Sequence, residues 1–260
     1  MPKDAPVIGL VVPFAEDRSP PEAAIMYPEV TFIPHGTGVR SLTPEGYDAA
    51  ADKIVPAADN LAARGVDAIM VIGTSLTFYR GPQFNDFLIA EIKRRTGLPV
   101  STMSQAIVDG LREVGAQRLA VGTAYSKVVN DKLKELLVHH GFDVCSLESF
   151  GITDFGGGTI RKTEEEIIDL SAKAREEAPE ADGILISCGG LRTLNVAAPL
   201  EERYGLPVVS STPAAFWAAM QLVGESGRLS GYGRMLEQAR APEGCTNAAA
   251  PRRPGRMMRR

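Results

Sequence analysis

The sequence predicts an α/β fold of two pseudo-symmetric halves, each a parallel sheet between helices, with an interdomain active-site cleft. Three observations carry this. Short apolar runs alternate with helical stretches. The runs lack the strict polar–apolar alternation of a half-exposed strand, as strands covered on both faces do. Finally, one half of the chain echoes the other.

The predicted strands are VIGLVVP at 7–13, DAIMVIG at 67–73, RLAVGTA at 118–124 and DGILISC at 182–188. Helices are expected between them. One covers 44–63 after the turn signal TPEG. Others cover 104–115, 126–140 and 164–178; the third of the four places Val129, Leu133, Leu136 and Leu137 on one face. Strand alternating with helix implies a parallel sheet between helical layers.

The echo pairs DAIMVIGTSL at 67–76 with DGILISCGGL at 182–191. GLPVSTMSQAIVDGLREVG, beginning at Gly97, matches GLPVVSSTPAAFWAAMQLVG, beginning at Gly205. More loosely, IGLVVPFAE from Ile8 matches LAVGTAYSK from Leu119. A repeat of about half the chain means two similar α/β units rather than a solenoid. The expected first half is 1–115 with 210–236, and the second is 116–209. Facing each other, the halves would bring the carboxyl ends of their strands to one cleft.

At 260 residues and 44% hydrophobic content, the chain can bury a large core. A formal net charge of -4 gives no general reason to hold nucleic acid or an anionic membrane. No apolar stretch approaches the roughly 18 residues of a bilayer span. The start reads as a first strand rather than a signal peptide. The three cysteines, Cys145, Cys188 and Cys245, fit neither a zinc knuckle nor a disulfide framework, and with three histidines no metal is expected. A cytoplasmic protein without a cofactor, a monomer or weak oligomer, is the expectation. The segment 154–162 is rich in glycine and reads as a lid. The final 20 residues, rich in Pro, Gly, Ala and Arg, read as a disordered tail containing Cys245. Cys145, in FDVCSLE, reads as an ordinary buried thiol.

The chemistry concentrates at the strand ends. Gly73, Thr74 and Ser75 offer backbone N–H groups and two hydroxyls, and Gly189 and Gly190 offer open backbone beside Cys188. Tyr125, at the end of the strand opening the second half, can donate a phenolic proton. Such neutral donors would hold a carboxylate and its enediolate form, and Cys188 could supply a proton. Blander roles exist for each: core packing for the cysteine, capping of the next helix by Thr74 or Ser75, cover for apolar surface by the tyrosine.

The set GTSLTFYRG at 73–81, TAY at 123–125 and SCGGL at 187–191, with SLTPEGYD at 41–48 and YGR at 232–234, resembles the arylmalonate decarboxylases of the aspartate/glutamate racemase superfamily. The resemblance runs from about 8 to 236. It implies two α/β domains with the site between them and no cofactor. Racemases of the superfamily commonly carry a second cysteine at the position matching Gly73. Glycine there leaves Cys188 as sole proton donor, the decarboxylase pattern. The implied substrate is a malonate derivative disubstituted at C2, with one carboxylate held by Thr74, Ser75, Tyr125 and the amides of Cys188 and Gly189. The pocket wall is expected from Pro13, Phe14, Val39, Arg40, Leu42 and Leu76. Phe14 stands where the family has a second proline. Arg40 stands where a small residue is expected, and facing the cleft it would favour an additional anionic group. Two other classes remain open: an isomerase or racemase of a small carboxylic acid, and a non-catalytic binding protein.

Overall fold

The computed structural model describes residues 5–41, 43–154 and 162–238. In the first half, β1 (Val7–Val12), β2 (Thr31–Gly36), β3 (Ala68–Val71) and β4 (Val100–Thr102) form a parallel sheet in the order β2-β1-β3-β4. In the second, β5 (Arg118–Tyr125), β6 (Asp143–Ile152), β7 (Gly183–Ser187) and β8 (Val208–Ser210) repeat that order as β6-β5-β7-β8, again parallel.

The duplication extends to register. Ile8 stands opposite Ala68 in the first sheet, and Leu119 opposite Gly183 in the second. Likewise Ile69 faces Val100, and Ile184 faces Val208. These are the residues that the sequence echo superimposes. The central strands β3 and β7 are buried at every position, as runs without alternation require.

The helices that matter to the site are α1 (Glu22–Met26), α2 (Pro44–Ala51), α3 (Ile54–Ala63), α4 (Thr74–Phe78), α5 (Pro82–Thr96), α6 (Met103–Glu113) and α7 (Lys127–His139). Beyond them come α8 (Glu164–Glu177), α9 (Ala197–Tyr204), α10 (Ser211–Leu222) and α11 (Arg234–Gln238). The paired GLPV segments have one job. Gly97 and Gly205 end α5 and α9 in the same left-handed conformation, φ 69° in both, and send the chain into β4 and β8. The helices that follow, α6 and α10, pack on each other, and α10 also covers β3 and β4. Residues Ser211 through Met220 are all buried, which suits a helix apolar on every side.

Several expectations need correcting. The helix expected over 44–63 is two helices, broken at Asp52 and Lys53. Pro56 explains the break, because its ring would meet the carbonyl of the residue four positions earlier, Asp52. Strands β2 and β6 were not foreseen. Each is an edge strand, half-buried along most of its length, so neither shows a continuous apolar run. Cys145 lies on β6 and is therefore half-buried rather than buried. Strands β4 and β8 are only three residues long, too short to announce themselves. The apolar face of α7 is as expected, with Val129, Leu133, Leu136 and Leu137 buried. Of the glycine-rich segment 154–162, residues 155–161 lie outside the described residues. So do Leu42 and the tail 241–260. Among the described residues, no helix is long and apolar enough to cross a membrane.

Helix α8 begins in a capping box. Thr163 Oγ1 accepts from the Glu166 N–H, and the Glu166 carboxylate accepts from the Thr163 N–H. Thr163→Ala therefore lowers stability by about 1 kcal/mol. It should appear as a shifted urea midpoint with an unchanged slope, and an unchanged midpoint would contradict the capping role.

Candidate active site

The carboxyl ends of β1, β3 and β7 converge on a cavity of about 170 Å³. Strand β1 supplies Pro13 and Phe14. From β3 and the start of α4 come Ile72, Gly73, Thr74, Ser75 and Leu76. The β7 end supplies Cys188, Gly189, Gly190, Leu191 and Arg192. Arg18, Pro20, Pro21 and Glu22, around the start of α1, complete the wall. Both halves thus contribute, through pseudo-equivalent strand ends.

The β1 end is held by the chain that follows β2. The Thr37, Gly38 and Val39 N–H groups donate to the carbonyls of Val12, Phe14 and Pro13, at 2.8, 3.0 and 2.8 Å. Pro13 and Phe14 are thereby fixed as a wall. Val39 is buried in this support and does not line the cavity. Arg40 is exposed and also stands outside the lining. Both were expected in the pocket; the backbone bonds of the return segment point them elsewhere. Arginines do line the cavity, but they are Arg18 and Arg192.

Cys188 follows the last residue of β7 and is 7% exposed. Burial pushes its thiol up to about 11. The N–H groups of Gly190 and Leu191 and the Tyr125 hydroxyl oppose that only in part. Gly190 N–H donates to Sγ at 3.4 Å. Near neutral pH the group rests as a thiol, the form a proton donor needs.

Opposite in the repeat stands Gly73. Its φ of 116° and ψ of 93° lie where L side chains are rarely found. A Cβ built there would approach Leu76 Cβ at 3.4 Å and Pro13 Cβ at 3.7 Å, so space exists but the backbone suits glycine.

Gly73 precedes α4, and neither Thr74 nor Ser75 caps that helix; both lie inside its first turn. Thr74 Oγ1 donates to Ser211 Oγ at 3.0 Å, linking this turn to the start of α10. The Thr74 carbonyl accepts from Ser104 Oγ and Thr77 Oγ1, each at 3.0 Å. This hydroxyl ladder fixes the turn against α6 and α10. Tyr125 lies behind the cavity wall. Its hydroxyl is 3.3 Å from Ser187 Oγ, its ring meets Phe78 edge-on at 5.9 Å, and burial raises its pKa strongly, so the phenol stays protonated. Gly189 is half-buried over Met103, whose Sδ lies 3.0 Å from where a Cβ would stand, so a side chain there would have to push the methionine aside.

Tyr47, from α2, is a residue that reading the sequence missed. Its buried hydroxyl lies beside Ser75, which opposes the effect of burial on the phenol, and near Cys188. Its ring stacks on Tyr79 at 4.9 Å. Arg80 ties α2 down through Asp48 at 2.6 Å and Asp52 at 2.8 Å. The available signal was the large aromatic in PEGYDAAA, a helix otherwise made of small and polar residues. Among the described residues, no three His, Cys, Asp or Glu side chains converge as a metal site requires.

The arylmalonate decarboxylase family profile matches residues 8–236. An arylmalonate decarboxylase of Bordetella bronchiseptica is 42% identical over 235 residues, covering 90% of this chain and 98% of that one. A liganded crystal structure of an arylmalonate decarboxylase, with one glycine changed to cysteine and one cysteine to serine, superimposes with a TM-score of 0.88. It is 41% identical and covers 90% of this chain and all of that one. More distantly, a maleate isomerase of Nocardia farcinica is 26% identical over 246 residues, covering 89% of this chain and 95% of that one.

The raised Cys188 pKa has a direct consequence. Its alkylation by iodoacetamide, followed by mass spectrometry of the labelled peptide, should keep accelerating up to about pH 11. A rate already half-maximal at about pH 8.5, where a free thiol is half ionised, would contradict the dry environment.

Proposed function

The chain belongs to the arylmalonate decarboxylase family, and on that premise we propose how its cavity carries out the reaction. The protein is a carbon–carbon lyase that decarboxylates a small 2-substituted malonate with the help of a cysteine. Its substrate is a small carboxylic acid.

In the proposed reaction, one substrate carboxylate sits against the hydroxyls of Thr74 and Ser75 and the backbone N–H groups of Cys188 and Gly189, with the Tyr125 hydroxyl behind them. These donors are neutral, and the Thr74 hydroxyl, which otherwise donates to Ser211 Oγ, turns to the carboxylate. They interact more strongly with the enediolate than with the carboxylate, because more negative charge faces them at that stage. The second carboxylate, set against the apolar wall, leaves as carbon dioxide. The electrons of the broken carbon–carbon bond pass to C2 and spread onto the held carboxylate.

The planar intermediate then takes the Cys188 proton. The Sγ–H bond breaks and a C–H bond forms at C2, leaving a thiolate that water reprotonates. A thiol held up to about 11 gives its proton readily to so basic a carbon, and it is present in that form before substrate arrives.

The observation that carries this reading is the asymmetry between Cys188 and Gly73, the two strand ends that the repeat makes equivalent. An isomerase or racemase working by proton exchange on both faces needs a second acid–base group, and glycine supplies none. The tyrosine on that side, Tyr47, has a phenol pKa raised by burial, which keeps it protonated and leaves no basic form to take a proton.

Carbon dioxide release from a panel of 2-aryl and 2-alkyl methylmalonates should fall by roughly a hundredfold or more in Cys188→Ala. Undiminished release would remove the cysteine from the mechanism. Gly73→Cys places a second acid–base group across from Cys188, in the space beside Leu76 and Pro13. This variant should exchange the α-proton of a 2-arylpropionate in deuterated water, where the parent protein does not. No exchange by the folded variant would contradict the facing geometry.

A further inference from the structure

Glu22 is unused by the reaction, yet it lines the same cavity as Cys188. Of the charged residues in that wall it is the buried one, 7% exposed, whereas Arg18 and Arg192 are exposed. It opens α1, whose other buried residues are Ala23 and Met26. Its carboxylate takes a hydrogen bond from its own backbone N–H and feels Arg192 through space; no other described side chain donates to it. Burial outweighs both and holds its pKa above the usual carboxylate range. Arg18 is engaged elsewhere. Its guanidinium lies 3.7 Å from the centre of the Phe14 ring and 3.6 Å from Glu16.

A buried carboxylate with spare acceptor positions is costly, and much of that cost disappears when a ligand supplies the donor. Around it the wall is apolar: Pro13, Phe14, Pro20, Pro21 and Leu191. A malonate brings two carboxylates, which Glu22 repels. The substituent at C2 is the part of the substrate left to face it. We propose that Glu22 selects malonates whose C2 substituent ends in a hydrogen-bond donor, a hydroxyl or an ammonium group. The inference rests on the decarboxylase reading and names the substrate class within it.

The test compares 2-methyl-2-phenylmalonate with its meta and para hydroxymethyl, aminomethyl and carboxyl derivatives. Carbon dioxide release is measured for the parent protein, Glu22→Leu and Glu22→Gln. The parent protein should favour a hydroxymethyl or aminomethyl substrate over the phenyl one by about tenfold or more in kcat/KM, mainly through KM. Glu22→Leu should reverse that ranking. Glu22→Gln, which keeps an acceptor oxygen without the charge, should retain the hydroxymethyl preference and lose the aminomethyl one. Three results would overturn the proposal: a parent protein that prefers the phenyl substrate, a ranking unchanged in Glu22→Leu, or a preference for the carboxyl derivative, which would assign the wall to Arg192. Release from no substrate at all would instead remove the decarboxylase reading, and this inference with it.

Discussion

Removing water from the Cys188 side chain costs its thiolate far more than its thiol, and the rest of the site is arranged around that difference. Burial raises the sulfur's pKa, while the N–H groups of Gly190 and Leu191 and the Tyr125 hydroxyl keep the shift bounded. The result is a group that holds its proton at rest and can still release it to a strong carbon base. A drier sulfur would give the proton up less readily. A wetter one would ionise closer to neutral pH and become a base or nucleophile.

The scaffold that places this thiol is a duplicated sheet whose two copies share strand order and, across their inner strand pairs, register. Equal registers make the ends of β3 and β7 arrive as equivalents. What distinguishes the two sides is a handful of side chains. At the β3 end lies glycine with φ 116°, followed by two hydroxyls inside the first turn of α4. At the β7 end lies cysteine, followed by two glycines, the second of which donates its N–H to the sulfur. Acid chemistry is therefore confined to one half and donor chemistry is spread over both. A hydrogen-bonded chain from Thr74 through the Ser211 hydroxyl to the Ile186 carbonyl of β7 couples the two halves mechanically.

Much of this was legible in the chain. Strands covered on both faces showed as apolar runs, and the GLPV echo gave the duplication because the same left-handed helix end recurs before β4 and β8. Edge strands β2 and β6 were not legible, since half-buried positions tolerate Thr, Ser and Glu without a pattern. At the site, Cys188, Gly73, Thr74, Ser75, Gly189, Pro13, Phe14 and Leu76 do line one cavity. Those residues follow buried strands directly, so strand position alone locates them. Val39 and Arg40 follow the edge strand β2, and their orientation depends on backbone bonds to the β1 end. Tyr47 and Glu22 ride on the helices α2 and α1, whose docking is tertiary and leaves no local signature.

One donor on one face has a stereochemical consequence. A prochiral 2-methyl-2-substituted malonate, decarboxylated in deuterated water by the parent protein, should give a product with one deuterium at C2 and a single configuration, read by chiral chromatography with mass detection. A singly deuterated but racemic product would contradict the account, because it would mean that the proton reaches C2 from both faces and that Cys188 does not control its delivery.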